Sequence, residues 1–291
     1  MSPAAGIATG ERRLSPLARI AAFSALALFV GGGANVIAKI RKRPSSQPQV
    51  RTPTAVVWRR AIASAVVPTA VVATPSCPAD MVVVEGQHCT KADQRCLRWL
   101  DDEKLPFARC GTYAKPVRCL AARIPMHFCI DRYEYARAGE SLPENGASFS
   151  GAGRVCTGLG KRLCTESEWN FACEGEEMRP YPYGFTREPV CNQDRPNLVQ
   201  QTSAGQVLRD LREPSNARPA CVSPFGVYDM VGNLDEPVVR DHAVKDSRFR
   251  CALKGGWWMP ARNRCRPATT AHDNFFKGLQ IGIRCCSNIV Q

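Results

Sequence analysis

The sequence predicts a loop-rich α+β fold stapled by disulfide bonds. Three observations carry that prediction. All 15 cysteines lie at or after Cys77, and none stands in a C-x-x-C pair. This density without metal-ligand spacing reads as a disulfide framework in an oxidising compartment. The segments with a regular apolar period are few and short. Long Gly-, Pro- and Asn-rich stretches separate them. The chain has 291 residues, 44% of them hydrophobic. That is ample for a full core and excludes a disordered chain.

The strands come first in the chain. Residues 81–85 (Met-Val-Val-Val-Glu) and 126–135 read as strands from their β-branched and aromatic content. In 249–253, Phe249, Cys251 and Leu253 alternate with Arg250 and Ala252. In 279–285, Leu279, Ile281, Ile283 and Cys285 alternate with Gln280, Gly282 and Arg284. Both are half-buried strand patterns. One helix is well signalled. Thr165-Glu166-Ser167-Glu168 is a capping box, in which hydroxyl and carboxylate satisfy orphan N–H groups. Trp169, Ala172 and Cys173 then share a face, and Gly175 suits the terminus. The adjacent Cys285 and Cys286 face opposite ways in a strand, which predicts two separate bridges rather than a vicinal redox pair. His272-Asp273 reads as structural rather than as a catalytic base. An odd number of cysteines leaves at least one thiol over.

The 39 Lys and Arg against 26 Asp and Glu give a net +13. Residues 1–76 hold ten of those bases and a single acid, Glu11. The excess therefore belongs to a tail and not to a domain face, and nucleic-acid binding is not expected. Arg12, Arg13 and Arg19 precede an apolar run from Ile20 to Val30, and Lys39, Arg41, Lys42 and Arg43 follow it. Residues 1–43 read as a signal anchor or a cleaved signal peptide with basic flanks. The N-terminal segment would engage the membrane, and the cysteine-bearing body would face the oxidising side, tethered or released into the periplasm or medium. Residues 44–76 form a Pro-rich linker. Residues 77–128 form a Cys-rich extension, in which one of five cysteines reaches Cys129 or the core. Residues 129–291 form the main domain.

Five motifs in 129–291 resemble the formylglycine-generating enzyme (sulfatase-modifying factor) family. Gly160-Lys161-Arg162-Leu163-Cys164-Thr165-Glu166-Ser167-Glu168-Trp169 is similar to its G-K-R-L-P-T-E-A-E-W. Tyr181-Pro182-Tyr183-Gly184 resembles Y-P-W-G, and Phe225 to Asn233 resembles F-G-L-Y-D-M-V-G-N. Lys254-Gly255-Gly256-Trp257-Trp258 resembles R-G-G-S-W, and Gly282-Ile283-Arg284-Cys285 resembles G-F-R-C. The resemblance implies a compact fold of low secondary-structure content, related to C-type lectins. It implies the pairs Cys156–Cys285 and Cys173–Cys265. A third bridge, Cys191–Cys221, is expected to tie the ends of a long loop. The resemblance also implies a structural Ca²⁺ held by Asp229 and Glu236 side chains and the Gly232 and Leu234 carbonyls, with Asn192 at a second position. Oxygen donors in a Gly-containing loop suit that ion.

The resemblance breaks at the chemistry. The family oxidises a substrate cysteine with copper held by two thiolates, ten and five residues before the position of Cys265. Gly255 and Pro260 stand there, and neither supplies the soft ligand Cu(I) needs. The G-N-V-W-E-W of the family is Gly232-Asn233-Leu234-Asp235-Glu236-Pro237, without either Trp. The expectation is a family member without copper, serving as a binding or scaffold module for a protein or glycan ligand. Trp257 and Trp258 are the expected ligand platform in the vacated cleft. The alternative is an oxidoreductase built on other thiols.

Overall fold

The computed structural model describes residues 76–289. The signal segment, its basic flanks and all of the linker but Ser76 lie outside the described residues. Among the described residues, no helix is long and apolar enough to cross a membrane.

The first strands are β1 (Met81–Cys89), β2 (Ala92–Asp93), β3 (Cys96–Trp99), β4 (Cys110–Tyr113), β5 (Arg118–Cys119) and β6 (Arg123–Asp131). Next come α1 (Phe149–Gly158), β7 (Arg162–Leu163), α2 (Glu166–Glu174), β8 (Val199–Thr202) and β9 (Gly205–Leu208). The chain closes with β10 (Glu236–Val239), β11 (Cys251–Lys254), β12 (Ala268–Thr269) and β13 (Cys285–Ser287). β1 pairs antiparallel with β6 along its whole length, from Met81 opposite Asp131 to Cys89 opposite Arg123. The main sheet runs β1-β6-β13-β7, and a second sheet runs β10-β11-β12. Few helices, short strands and long loops make this the loop-rich α+β fold that the sequence predicts.

α2 starts and stops where its chemistry dictates. The Thr165 hydroxyl accepts the Glu168 N–H, and the Glu168 carboxylate accepts the Thr165 N–H. Trp169, Phe171, Ala172 and Cys173 are buried in the main core against Val84, Phe128, Ile130, Val231 and Ala252. α1 is a helix the residues hid, since Gly151, Gly153 and Gly158 lower its propensity. Ser148 caps it by accepting the Gly151 N–H at 3.1 Å. Packing of Ala152 and Cys156 on Leu163 and Ile283 supplies the rest.

Three strand expectations change in detail. The segment expected over 126–135 ends at Asp131 and begins earlier, at Arg123. In place of the alternation over 249–253, all four residues of β11 are buried. β11 is central in its sheet and covered on both faces. The strand expected over 279–285 shrinks to Cys285–Ser287. Ile281 and Ile283 point inward, but Gly282 and Arg284 are buried too. Gly282 lies against Leu234, where a Cβ would come within 2.7 Å of a side-chain carbon. Arg284 is drawn inside by a carboxylate.

Seven disulfides close the fold. Cys77–Cys129, Cys89–Cys119 and Cys96–Cys110 staple the N-terminal extension. Cys156–Cys285, Cys173–Cys265 and Cys191–Cys221 hold the main domain. Cys164–Cys286 joins the residue standing in place of the family's Pro to the second of the adjacent cysteines. Cys251 is free and buried. So many bridges suggest an oxidising environment outside the cytoplasm.

Cys164–Cys286 spans 122 residues. An isolated bridge of that span would contribute about 5 kcal/mol by chain entropy. Cys156–Cys285 already closes nearly the same loop, so the added closure is that of about ten residues, worth about 2–3 kcal/mol. The Cys164→Ala/Cys286→Ala variant is expected to lose that smaller amount in urea unfolding without reductant.

Candidate functional site

Behind the site lies a frame of buried charge. Arg284 and Glu236 are 1% exposed each. The Arg284 Nε donates to Glu236 Oε1 and Oε2 at 2.9 and 2.8 Å, and Nη2 donates to Oε1 at 2.7 Å. The remaining guanidinium N–H groups reach the Asp131 and Tyr228 carbonyls. Trp169 Nε1 donates to Glu236 Oε2 at 2.6 Å. Asp131 accepts from Lys161 Nζ and from the Cys285 N–H. Arg162 holds Glu168 through two hydrogen bonds, at 2.7 and 2.6 Å. Arg162 and Glu168 are thus partners within one motif, while Lys161 and Arg284 pair with acids outside the five motifs.

The 229–236 loop turns through Asp229 (φ +58°), Gly232 (+81°) and Asn233 (+54°). A Cβ on Gly232 would strike the Asn192 carbonyl. Asn233 is the loop's hub. Its Oδ1 accepts from Asn192 Nδ2 and the Glu213 N–H, both at 2.9 Å, and its Nδ2 donates to Glu134. Burial, then the charge of Asp229, pushes the Glu134 carboxyl well above its ordinary value. Burial moves Asp229 up to about 6.

Some of the oxygens expected to hold calcium are engaged with protein donors. Glu236 spends both oxygens on Arg284 and Trp169. Asp229 accepts the Asn216 N–H, and the Asn192 carbonyl accepts the Asn233 N–H. Among the described residues, no group of three or more acidic, Cys or His side chains is arranged for a metal.

Gly255, one of the two positions where the resemblance implies copper thiolates, lines a cleft of ≈ 70 Å³ open to solvent. Gly255 (φ +83°) and Gly256 (φ +76°) form its floor. A Cβ on Gly255 would lie 2.8 Å from the Met230 carbonyl oxygen, so the backbone has no room for a side chain there. Pro260 lies in a neighbouring hollow with Phe107. The free Cys251 is buried, and burial followed by the Asp235 charge pushes its thiol up to about 12. It is a thiol and not a thiolate at neutral pH.

Of the expected aromatic platform, only half is accessible. Trp257 lines the cleft, whereas Trp258 is 0% exposed and stands edge-on to it at 5.3 Å between ring centres. Trp258 is core packing and offers no face to a ligand. His272 stacks on Phe276, and Asp273 accepts the Phe275 and Phe276 N–H groups, as structural residues do.

Three cleft groups escaped the sequence reading as site residues. Asp235 occupies the place of a family Trp and was visible only as a departure. Burial pushes its carboxyl up to about 7, and the Gly256 N–H is the backbone donor that favours its charge. Asn263 donates to the Trp257 and Met259 carbonyls and shapes the loop. Phe107 comes from the β3–β4 hairpin of the extension, and the Arg262 guanidinium lies 5.6 Å from its ring centre. No sequence signal connects residue 107 to residue 255.

Residues 126–289 match the family model described as the sulfatase-modifying factor enzyme 1-like domain. That is more than half of the chain. The chain belongs to this family. Two inactive C-alpha-formylglycine-generating enzyme 2 proteins are similar to it. The one from Bos taurus is 32% identical over 157 residues, 48% of this chain and 48% of that protein. The one from Mus musculus is 31% identical over 164 residues, 50% of this chain and 49% of that protein. The chain thus spans about half the length of the curated relatives it matches. The crystal structure of CarF aligns with 73% of this chain and 99% of its own at a TM-score of 0.48 and 17% identity. As a sulfatase-modifying-factor-like domain, the chain carries Gly255 and Pro260 where the resemblance implies paired cysteines.

The raised Asp235 carboxyl has a consequence for stability. Between about pH 4 and pH 7 the folded domain holds a proton that the unfolded chain has released. Stability should therefore fall as pH rises through that window, by up to about 4 kcal/mol. Urea unfolding of Asp235→Asn is expected to show a flatter dependence over the same range.

Proposed function

We propose that this chain is an extracytoplasmic pseudoenzyme of the family, without copper-dependent oxidation of cysteine to formylglycine, and that it acts as a binding or scaffold module for a protein or glycan ligand. The observation that carries the reading is the free-thiol inventory. Fourteen of the 15 cysteines are bridged, and Cys251 alone is free, buried and protonated. Cu(I) in this chemistry requires two thiolates side by side. The glycine floor at 255 closes the route by which a simple substitution would restore one.

The names of the inactive relatives support the same reading. So does the separation of frame from chemistry, since a fold persists when its reactive loop changes. The disulfides support export. The N-terminal segment, acting as a signal anchor or cleaved signal, would place the domain at or beyond the membrane. The vacated cleft is the natural ligand position.

Equilibrium dialysis of the non-reduced full chain against Cu(I) tests the proposal. No stoichiometric copper should remain bound, and a cysteine-containing peptide should stay unoxidised. One copper retained per chain, or formylglycine in the peptide, would restore the oxidoreductase reading.

A further inference from the structure

Asp235 is an unusual group to leave in a cleft. It is 7% exposed. A buried carboxylate normally carries a cationic partner or several donors, because losing water costs several kcal/mol. Yet no Lys, Arg or His forms an ion pair with Asp235 among the described residues, although 18 other such pairs are present. Asp235 is one of the residues that line the cleft.

The same cleft carries a guanidinium with spare capacity. Arg262 makes one side-chain hydrogen bond, from Nη2 to the Ala268 carbonyl at 3.1 Å. A guanidinium has five N–H donors, and the rest have no protein acceptor among the described residues. Gly255, Gly256, Trp257 and Phe107 line the same cleft as Asp235 and Arg262. The cleft therefore offers an unpaired acid, an under-used base and an apolar wall. Its ≈ 70 Å³ admits only a ligand of a few heavy atoms.

We propose that this cleft binds a small zwitterion, an amino acid whose ammonium group meets Asp235 and whose carboxylate meets Arg262. Such a ligand supplies the missing cation to the buried acid and an acceptor pair to the guanidinium. An amine alone leaves Arg262 unmatched and is repelled by it. A carboxylate alone leaves Asp235 unmatched. The inference rests on the binding-module reading above and gives it a ligand class.

Calorimetric titration of the full chain with glycine, β-alanine and γ-aminobutyrate tests it, with propylamine and propionate as single-charge controls. At least one zwitterion should bind with one site per chain and at least about tenfold more tightly than either control. Asp235→Asn and Arg262→Gln should each weaken that binding about tenfold or more, with thermal unfolding showing both variants folded. Failure of all three zwitterions to bind, or unchanged binding in folded Asp235→Asn, would overturn the proposal. Neither result touches the copper reading, which fails only by copper retention or peptide oxidation.

Discussion

A single buried ion pair, Arg284 with Glu236, ties together segments far apart in the chain. Two charges out of water are costly, and they persist only when every lone pair and N–H is used. Glu236 takes the guanidinium on one side and the Trp169 indole on the other. Arg284 reaches onward to the Asp131 and Tyr228 carbonyls. The end of β6, the α2 helix, the turn after Phe225 and the closing strand must all arrive together for this pair to be satisfied. Removing either partner would strand the other, at a cost of about 3–5 kcal/mol.

That requirement explains what the chain has kept and what it has lost. The G-K-R, T-E-x-E-W, G-N-x-x-E and G-x-R-C residues are partners within one polar frame. Lys161 binds Asp131 and Asp80, Arg162 binds Glu168, and Asn233 holds Glu134 and Glu213 in place. None of these contacts depends on the cleft thiolates. The reactive loop can therefore change without disturbing the frame, and here Gly255 and Pro260 occupy it. The bridge Cys164–Cys286 adds a covalent tie beside the frame that the Pro-containing motif would lack.

Much of this was legible in the residues. The Thr165 capping box, the inward face of α2 and the opposite directions of Cys285 and Cys286 follow from local geometry. Other features required the tertiary structure. Strand alternation places Arg284 outside, because periodicity counts an arginine as solvated and carries no information about a carboxylate 48 residues away. Three glycines concealed α1, whose packing outweighs its propensity. Trp258 looked like a platform beside Trp257, but the turn after Gly256 sends it into the core. Phe107 joins the cleft through a cross-linked hairpin that no motif describes. Asp235 was visible only as a missing Trp. That it forms no ion pair among the described residues is a three-dimensional fact.

The family fold here holds no pair of free thiols, since Cys251 alone is unbridged. Alkylation of denatured, unreduced protein followed by intact mass tests it most directly. One alkylated thiol per chain, at Cys251, and seven intact bridges are expected. Three alkylated thiols, with two from residues adjacent in the fold, would contradict it and return a redox centre to this domain.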